Sequence, residues 1–173
     1  MLYQKNFHLG SILCIITATI TLLYYLHAPY PEITIDSPGY LEVVKQLHLY
    51  GNPVHPARLP IYPLMIVVVY FLAGQGNIMA VCIVQGIFFV LTALELYSIA
   101  LLLFRQPWIA FCFGLLIGTN LILLSYCKPL MTEGLSLWLL TTSILLMVLF
   151  TTIGLWILSL PIAAGQVIQP PAG

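Results

Sequence analysis

Charge is what this chain has least of. Only 6% of its 173 residues are Asp, Glu, Lys or Arg, against 61% apolar ones, and the mean hydropathy is +1.07. Soluble domains carry about 25% charged residues, so a water-exposed globule is excluded and an all-α integral membrane protein is expected. No Lys/Arg cluster occurs and the formal net charge is zero. Nothing is therefore present to neutralise a phosphate backbone, and nucleic acid is not an expected partner. Cysteine is sparse as well. Cys14, Cys82, Cys112 and Cys127 lie in or beside apolar stretches and show no CxxC or Cys/His spacing, which leaves them as small lipid-phase or core residues. Repeats, low-complexity stretches and linkers are also missing, so residues 1–173 read as a single transmembrane domain.

The apolar run Leu9 to Leu26 follows Lys5 and resembles a secretory signal. It is longer than a typical signal core, and Leu26 at the minus-three position makes a poor cleavage site. It is expected to remain as an uncleaved first span of roughly 27 Å, with Lys5 cytoplasmic. Three further apolar segments are long enough to cross, at 77–104, 108–125 and 135–160, and Pro161 is expected to stop the last. The segment 61–73 covers only about 20 Å as a helix and has Pro63 in its first turn, so it is too short to cross comfortably.

What charge there is gathers in one place. Residues 29–60 hold three of the five acidic residues and two of the five basic ones. Within this island, Ser37-Pro38 reads as an N-cap and a first-turn proline. Tyr40, Leu41, Val43, Val44 and Leu47 then fall on one side of a helix and Glu42, Lys45 and Gln46 on the other, until Gly51 ends it. Such a helix is built to lie along a membrane surface. If 61–73 does not cross, the loop 29–77 and the loop 126–134 share the extracytoplasmic side while Lys5 and Arg105 share the cytoplasmic one. That arrangement satisfies the positive-inside rule and brings Asp36 and Glu133 to one face.

The series IDSPGYLEVVKQL, ARLPIYPLM, a span ending near Arg105 and YCKPLMTEGLSLWLL resembles the C-type (GT-C) glycosyltransferase superfamily, over most of residues 1–150. Protein O-mannosyltransferases and aminoarabinose transferases that use polyprenyl-phosphate sugars belong to it. Asp36 matches the acid before the membrane-parallel helix, Arg58 and Pro60 to Pro63 the re-entry, and Glu133 the second acid. The resemblance implies a membrane glycosyltransferase moving a sugar from a polyprenyl-phosphate donor to an acceptor on the extracytoplasmic face. Asp36 would act as the general base, Glu133 as a second catalytic carboxylate, and Arg58 as the group that neutralises the departing phosphate. Tyr40 and Lys128 complete the implied substrate contacts. A divalent metal is left open; if one is used, Asp36 and Glu133 would hold it. The implied setting is a bacterial inner membrane with the loop in the periplasm. Members of the superfamily carry more than four spans, so the resemblance also implies an N-terminal portion whose missing helices a partner chain could supply. The alternative is a non-catalytic membrane subunit or an inactive truncated remnant.

Each candidate also has a plainer reading. Asp36 and Glu133 sit near the positive ends of helices, which suits any anion, and Arg58 can anchor a loop to lipid phosphates by snorkelling. Glu95 is an ionisable residue inside a span, a functional candidate by depth alone and the basis of a small-transporter reading. Its plainer reading is a hydrogen-bonded glutamate facing the bundle. His48 and His55 match no zinc spacing. Tyr30, Tyr40, Tyr50 and Tyr62 are what an interfacial aromatic belt supplies.

Overall fold

A computed structural model describes residues 2–51 and 60–166, with side chains described for 8–51 and 60–154. The described residues form seven helices: α1 Leu2–His27, α2 Ser37–Tyr50, α3 Ile61–Ala73, α4 Ile78–Phe104, α5 Pro107–Gly118, α6 Leu121–Cys127 and α7 Glu133–Gln166. Three helical segments are long and apolar enough to cross a membrane, His8–His27, Ile78–Phe104 and Glu133–Gly154, and α5 with α6 makes up to a fourth. The protein is thus an all-α membrane protein, as its composition demands.

Directions follow from the side-chain meetings. Tyr97 of α4 lies beside Gly10 of α1, whereas Tyr25 Oη donates to the Cys82 carbonyl at 2.8 Å, so α1 and α4 are antiparallel. Helix α5 runs with α1, because Gly114 meets Leu13 and Gly118 meets Thr17. Helix α7 runs with α4: Gln85 reaches Met131 at one end and Glu95 reaches Thr141 and Thr142 further along. Gly114 lets α1, α4 and α5 come together. A Cβ there would collide with Leu13 Cδ2 and stand 3.0 Å from the Ala93 carbonyl oxygen. Close approach of small residues is how helices associate where lipid removes the hydrophobic drive.

Two expectations about span limits need correction. The segment 108–125 is not one helix but two, α5 and α6, bent by 55°. The break lies at Thr119-Asn120: the Asn120 side chain accepts from the Leu123 amide and caps α6, while Thr119 Oγ1 donates back to the Leu115 carbonyl at 2.8 Å. An asparagine N-cap supplies a new helix start within the apolar segment that hydropathy does not register. Nor does Pro161 stop the last helix, since α7 continues through it to Gln166. A proline removes one backbone bond from an established helix without forbidding its continuation.

The short helices behave as their length requires. Helices α2 and α3 lie side by side, with Tyr40 against Tyr62 at 4.9 Å in an edge-to-face pair. Tyr62 and Tyr70, near opposite ends of α3, both belong to one packed cluster with Val81 in the first turn of α4. Helix α3 therefore stays at one end of the bundle. Its buried face is Tyr62, Pro63, Ile66, Val69 and Tyr70, and with Tyr40, Val44, Val81, Leu130 and Leu135 it builds the core of that end. The stripe expected on α2 is realised as buried Tyr40, Val43 and Val44, with Glu42 and Lys45 exposed and Gly51 as the C-cap. Of the four belt tyrosines, Tyr30 and Tyr50 are exposed, but Tyr40 and Tyr62 are core residues. Their spacing matched a belt, yet the α2–α3 contact buries them.

Candidate functional site

The island end of the bundle is held together by a small set of polar bonds. The Leu130 amide donates to the Glu32 carbonyl at 3.1 Å. Ser37 Oγ donates to the Leu130 carbonyl at 3.1 Å and accepts from the Thr34 amide at 2.9 Å. Lys128 Nζ donates to Glu32 Oε1 at 2.9 Å and lies 5.8 Å from the centre of the Tyr24 ring. Gln85 Nε2 donates to the Met131 carbonyl at 2.7 Å. Backbone without regular structure is thereby satisfied from outside itself, which is what buried loops require.

Ser37 is consequently not the cap of α2. The cap position belongs to Asp36, whose side chain makes no capping bond there, and Ser37 is the first helical residue. Its hydroxyl is spent on the loop 128–132 instead. The effect is to fix the start of α2, at Asp36, beside the start of α7, at Glu133. Both carboxylates lie at the same end of the bundle, as the non-crossing α3 requires.

Asp36 is half-buried. Glu133 is half-buried too, and its Oε2 is enclosed with no hydrogen-bond partner. Nearby Tyr62 Oη and Gln85 Oε1 are also enclosed and unpartnered. Burial pushes the Tyr62 phenol far above its ordinary range, with Cys82, Tyr40 and Glu133 adding to the rise. The Gln85 amide lies close enough to draw it partly back, but not at hydrogen-bonding geometry.

The other expected site residues take different places. Lys128 has a side chain only 3% exposed and is paired with Glu32, so it clamps two loops together. Tyr40, 6% exposed, packs on Tyr62. Tyr40 is buried because α2 packs on α3, and Lys128 because its loop folds back onto Glu32. Arg58 and His55 lie outside the described residues. His48 is exposed and rests against the Gln75 amide at 3.3 Å, a solvated surface position. Glu95 faces the bundle, with Oε2 accepting from Thr141 Oγ1 at 2.5 Å and Oε1 from Thr142 Oγ1 at 2.8 Å. It joins α4 to α7, which favours the plainer of its two readings.

Sequence reasoning counted Glu32 in the island without a role, read Ser37 only as the cap of α2, and passed over Gln85. Gln85 carried a signal, being an amide within the apolar run IMAVCIVQGIFFV. Polar groups at such depth seek partners on neighbouring segments. Among the described residues, no three His, Cys, Asp or Glu side chains converge. A divalent ion between Asp36 and Glu133 would therefore need carbonyl, amide or water oxygens as well.

No protein-family model, curated protein or solved structure matches this chain.

Proposed function

We propose that the chain is a membrane glycosyltransferase that moves a sugar from a polyprenyl-phosphate donor to an acceptor hydroxyl, at the end of the bundle where Asp36 and Glu133 lie. The observation that carries the reading is the bond between Ser37 Oγ and the Leu130 carbonyl. It ties the helix start bearing Asp36 to the loop that leads into Glu133, giving two carboxylates at one end of an apolar bundle. A donor with its tail in hydrocarbon and its sugar at the interface needs polar groups placed at that level.

Asp36 accepts the proton of the acceptor hydroxyl as its oxygen attacks the anomeric carbon. The bond from that carbon to the phosphate oxygen breaks, and the lipid phosphate leaves with the electron pair. Arg58 of the connecting loop provides the fixed positive charge that the leaving phosphate needs, and Glu133 positions the acceptor. In this reading the site faces the periplasm of a bacterial inner membrane, and a partner chain completes the donor's groove.

The test is transfer of labelled sugar from a polyprenyl-phosphate donor by membranes holding the chain with any partner it needs. Asp36→Asn must reduce the rate by at least about 10²-fold, the typical contribution of a general base. Undiminished transfer by that variant sinks the assignment.

A second reading has its own observation. Tyr40 and Lys128 are both buried in structural contacts, as they would be in a non-catalytic subunit whose island serves only to dock. In that case Asp36→Asn leaves the assembled activity intact.

A further inference from the structure

Helix α3 is apolar on its exposed side as well as on its buried one. Ile61, Leu64, Val68, Phe71 and Leu72 recur every three to four residues along it and are exposed, while Tyr62 and Tyr70 lie on the buried side. No charged residue interrupts the helix. Such an outer side suits hydrocarbon and not water. Where the stripe reaches Phe71 it meets polar groups. Two hollows of about 110 and 290 Å³ adjoin there, between the last turns of α2 and α3 and the turn that follows α3, and Val44, His48, Tyr70 and Gln75 line both. Phe71 extends the first and Lys45 the second.

The charge in these hollows is of one sign. Lys45 brings an ammonium with three N–H donors, and no carboxylate lines either hollow. Glu42, three residues earlier on α2, accepts from Gln46 Nε2 at 3.5 Å, and Lys45 has no ion pair among the described residues. Gln75 Nε2 stands 3.4 and 3.3 Å from the two ring nitrogens of His48. That near-equal spacing puts the amide over the face of the ring, because an atom in the ring plane at those distances would collide with the carbon between the nitrogens. An in-plane N–H of His48 is thereby left for a guest.

We infer that the hollows bind the phosphate of an anionic phospholipid, with an acyl chain of the same molecule laid along the exposed stripe of α3. The phosphate supplies the negative charge that Lys45 lacks and acceptors for the N–H groups of His48 and Gln75. The acyl chain covers an apolar surface that water covers poorly. A zwitterionic headgroup answers Lys45 with its phosphate but adds an ammonium for which the hollows hold no carboxylate. Lys45 and His48 lie 9 and 12 residues beyond Asp36 along α2, roughly 14 and 18 Å. This phosphate is therefore not the one that leaves during transfer, and the binding stands apart from the transferase reading.

The test uses the purified full chain in a neutral detergent, with its thermal midpoint followed against dihexanoyl phosphatidylglycerol, dihexanoyl phosphatidylcholine and inorganic phosphate. Phosphatidylglycerol at about tenfold its dissociation constant raises the midpoint by roughly 3–6 °C and saturates. Phosphatidylcholine gives a smaller rise and inorganic phosphate none. Lys45→Gln weakens the affinity for phosphatidylglycerol by about five- to tenfold. Arg105→Gln, which removes an equal charge at the opposite end of α4, leaves that affinity unchanged. No rise with phosphatidylglycerol, or equal rises from the two lipids, overturns the inference. So does an affinity that survives Lys45→Gln or falls as far in Arg105→Gln, and Lys45 and His48 then only complement the carbonyl end of α2. A rise with inorganic phosphate equal to the lipid's assigns the hollows to free phosphate and ends the lipid assignment.

Discussion

Lys128 and Glu32, 96 residues apart in the chain, meet at 2.9 Å, and the lysine is buried while the glutamate is about half exposed. That asymmetry predicts an asymmetric response. Glu32→Ala strands a cation in the bundle end and should cost about 1–3 kcal/mol. Lys128→Met keeps the volume and leaves a carboxylate that water can reach, at under about 1.5 kcal/mol. Thermal midpoints of the two variants in detergent check the order; a costlier Lys128→Met would mean that Lys128 is solvated.

Ser37→Ala removes the donor to the Leu130 carbonyl and the acceptor for the Thr34 amide together. A loss of about 1–3 kcal/mol is expected, accompanied by faster proteolysis in residues 28–36 and 128–132. Limited digestion followed by mass spectrometry reads this directly. An unchanged digestion pattern would show that the two loops are held by something other than this serine.

Gly114→Ala must push against the Ala93 carbonyl as well as Leu13, and backbone does not yield as a side-chain tip does. A cost of about 1–3 kcal/mol follows from overpacking. Gly154→Ala, with nothing within 4 Å of the added carbon, should be neutral or gain up to about 1 kcal/mol of helix propensity. Unfolding midpoints of the pair in the same detergent make the comparison.

Thr141 and Thr142 can each turn back to the Trp138 carbonyl, at 2.9 Å and 2.8 Å, if Glu95 is lost. Glu95 has no such retreat among the described residues. The double variant Thr141→Val, Thr142→Val should therefore destabilise the protein more than Glu95→Leu, by about 1–2 kcal/mol. Glu95→Gln should remain near wild type. A collapse of ion or solute flux in Glu95→Gln proteoliposomes, with stability intact, would instead revive the transporter reading.

Alkaline stability should depend on Tyr62. Its phenol is held above its ordinary value of 10.0, chiefly by burial. The folded state then favours the protonated form, so this contribution is complete below pH 10 and is lost as the pH rises beyond it. Tyr62→Phe should flatten the fall in stability above pH 10 and change little at pH 7, where the hydroxyl has no partner. Unfolding curves from pH 7 to 11 test both halves of that statement.

Much of the fold was legible because membrane solvation acts on each segment separately. The limits of α3 at 61–73 and its failure to cross came from length, and the capping Gly51 from residue type. The bend in α5–α6 was in principle readable from Gly118, Thr119 and Asn120, but their unbroken apolar flanks masked it. The burial of Tyr40 and Lys128 was not readable, since each sits in a segment whose own pattern suits an interfacial position.

The sequence by itself determined that this is an all-α membrane protein with its polar residues gathered between spans, because twenty-odd apolar residues in a row have few other stable fates. Tertiary structure alone decided which polar groups belong together. Glu32 with Lys128, Ser37 with Leu130 and Gln85 with Met131 are joined across tens of residues by helices that lie antiparallel or parallel in a particular order. Hydrogen bonds reach about 3 Å, whereas hydropathy is a property of windows of residues along the chain. The partnerships therefore appear only when the helices are packed.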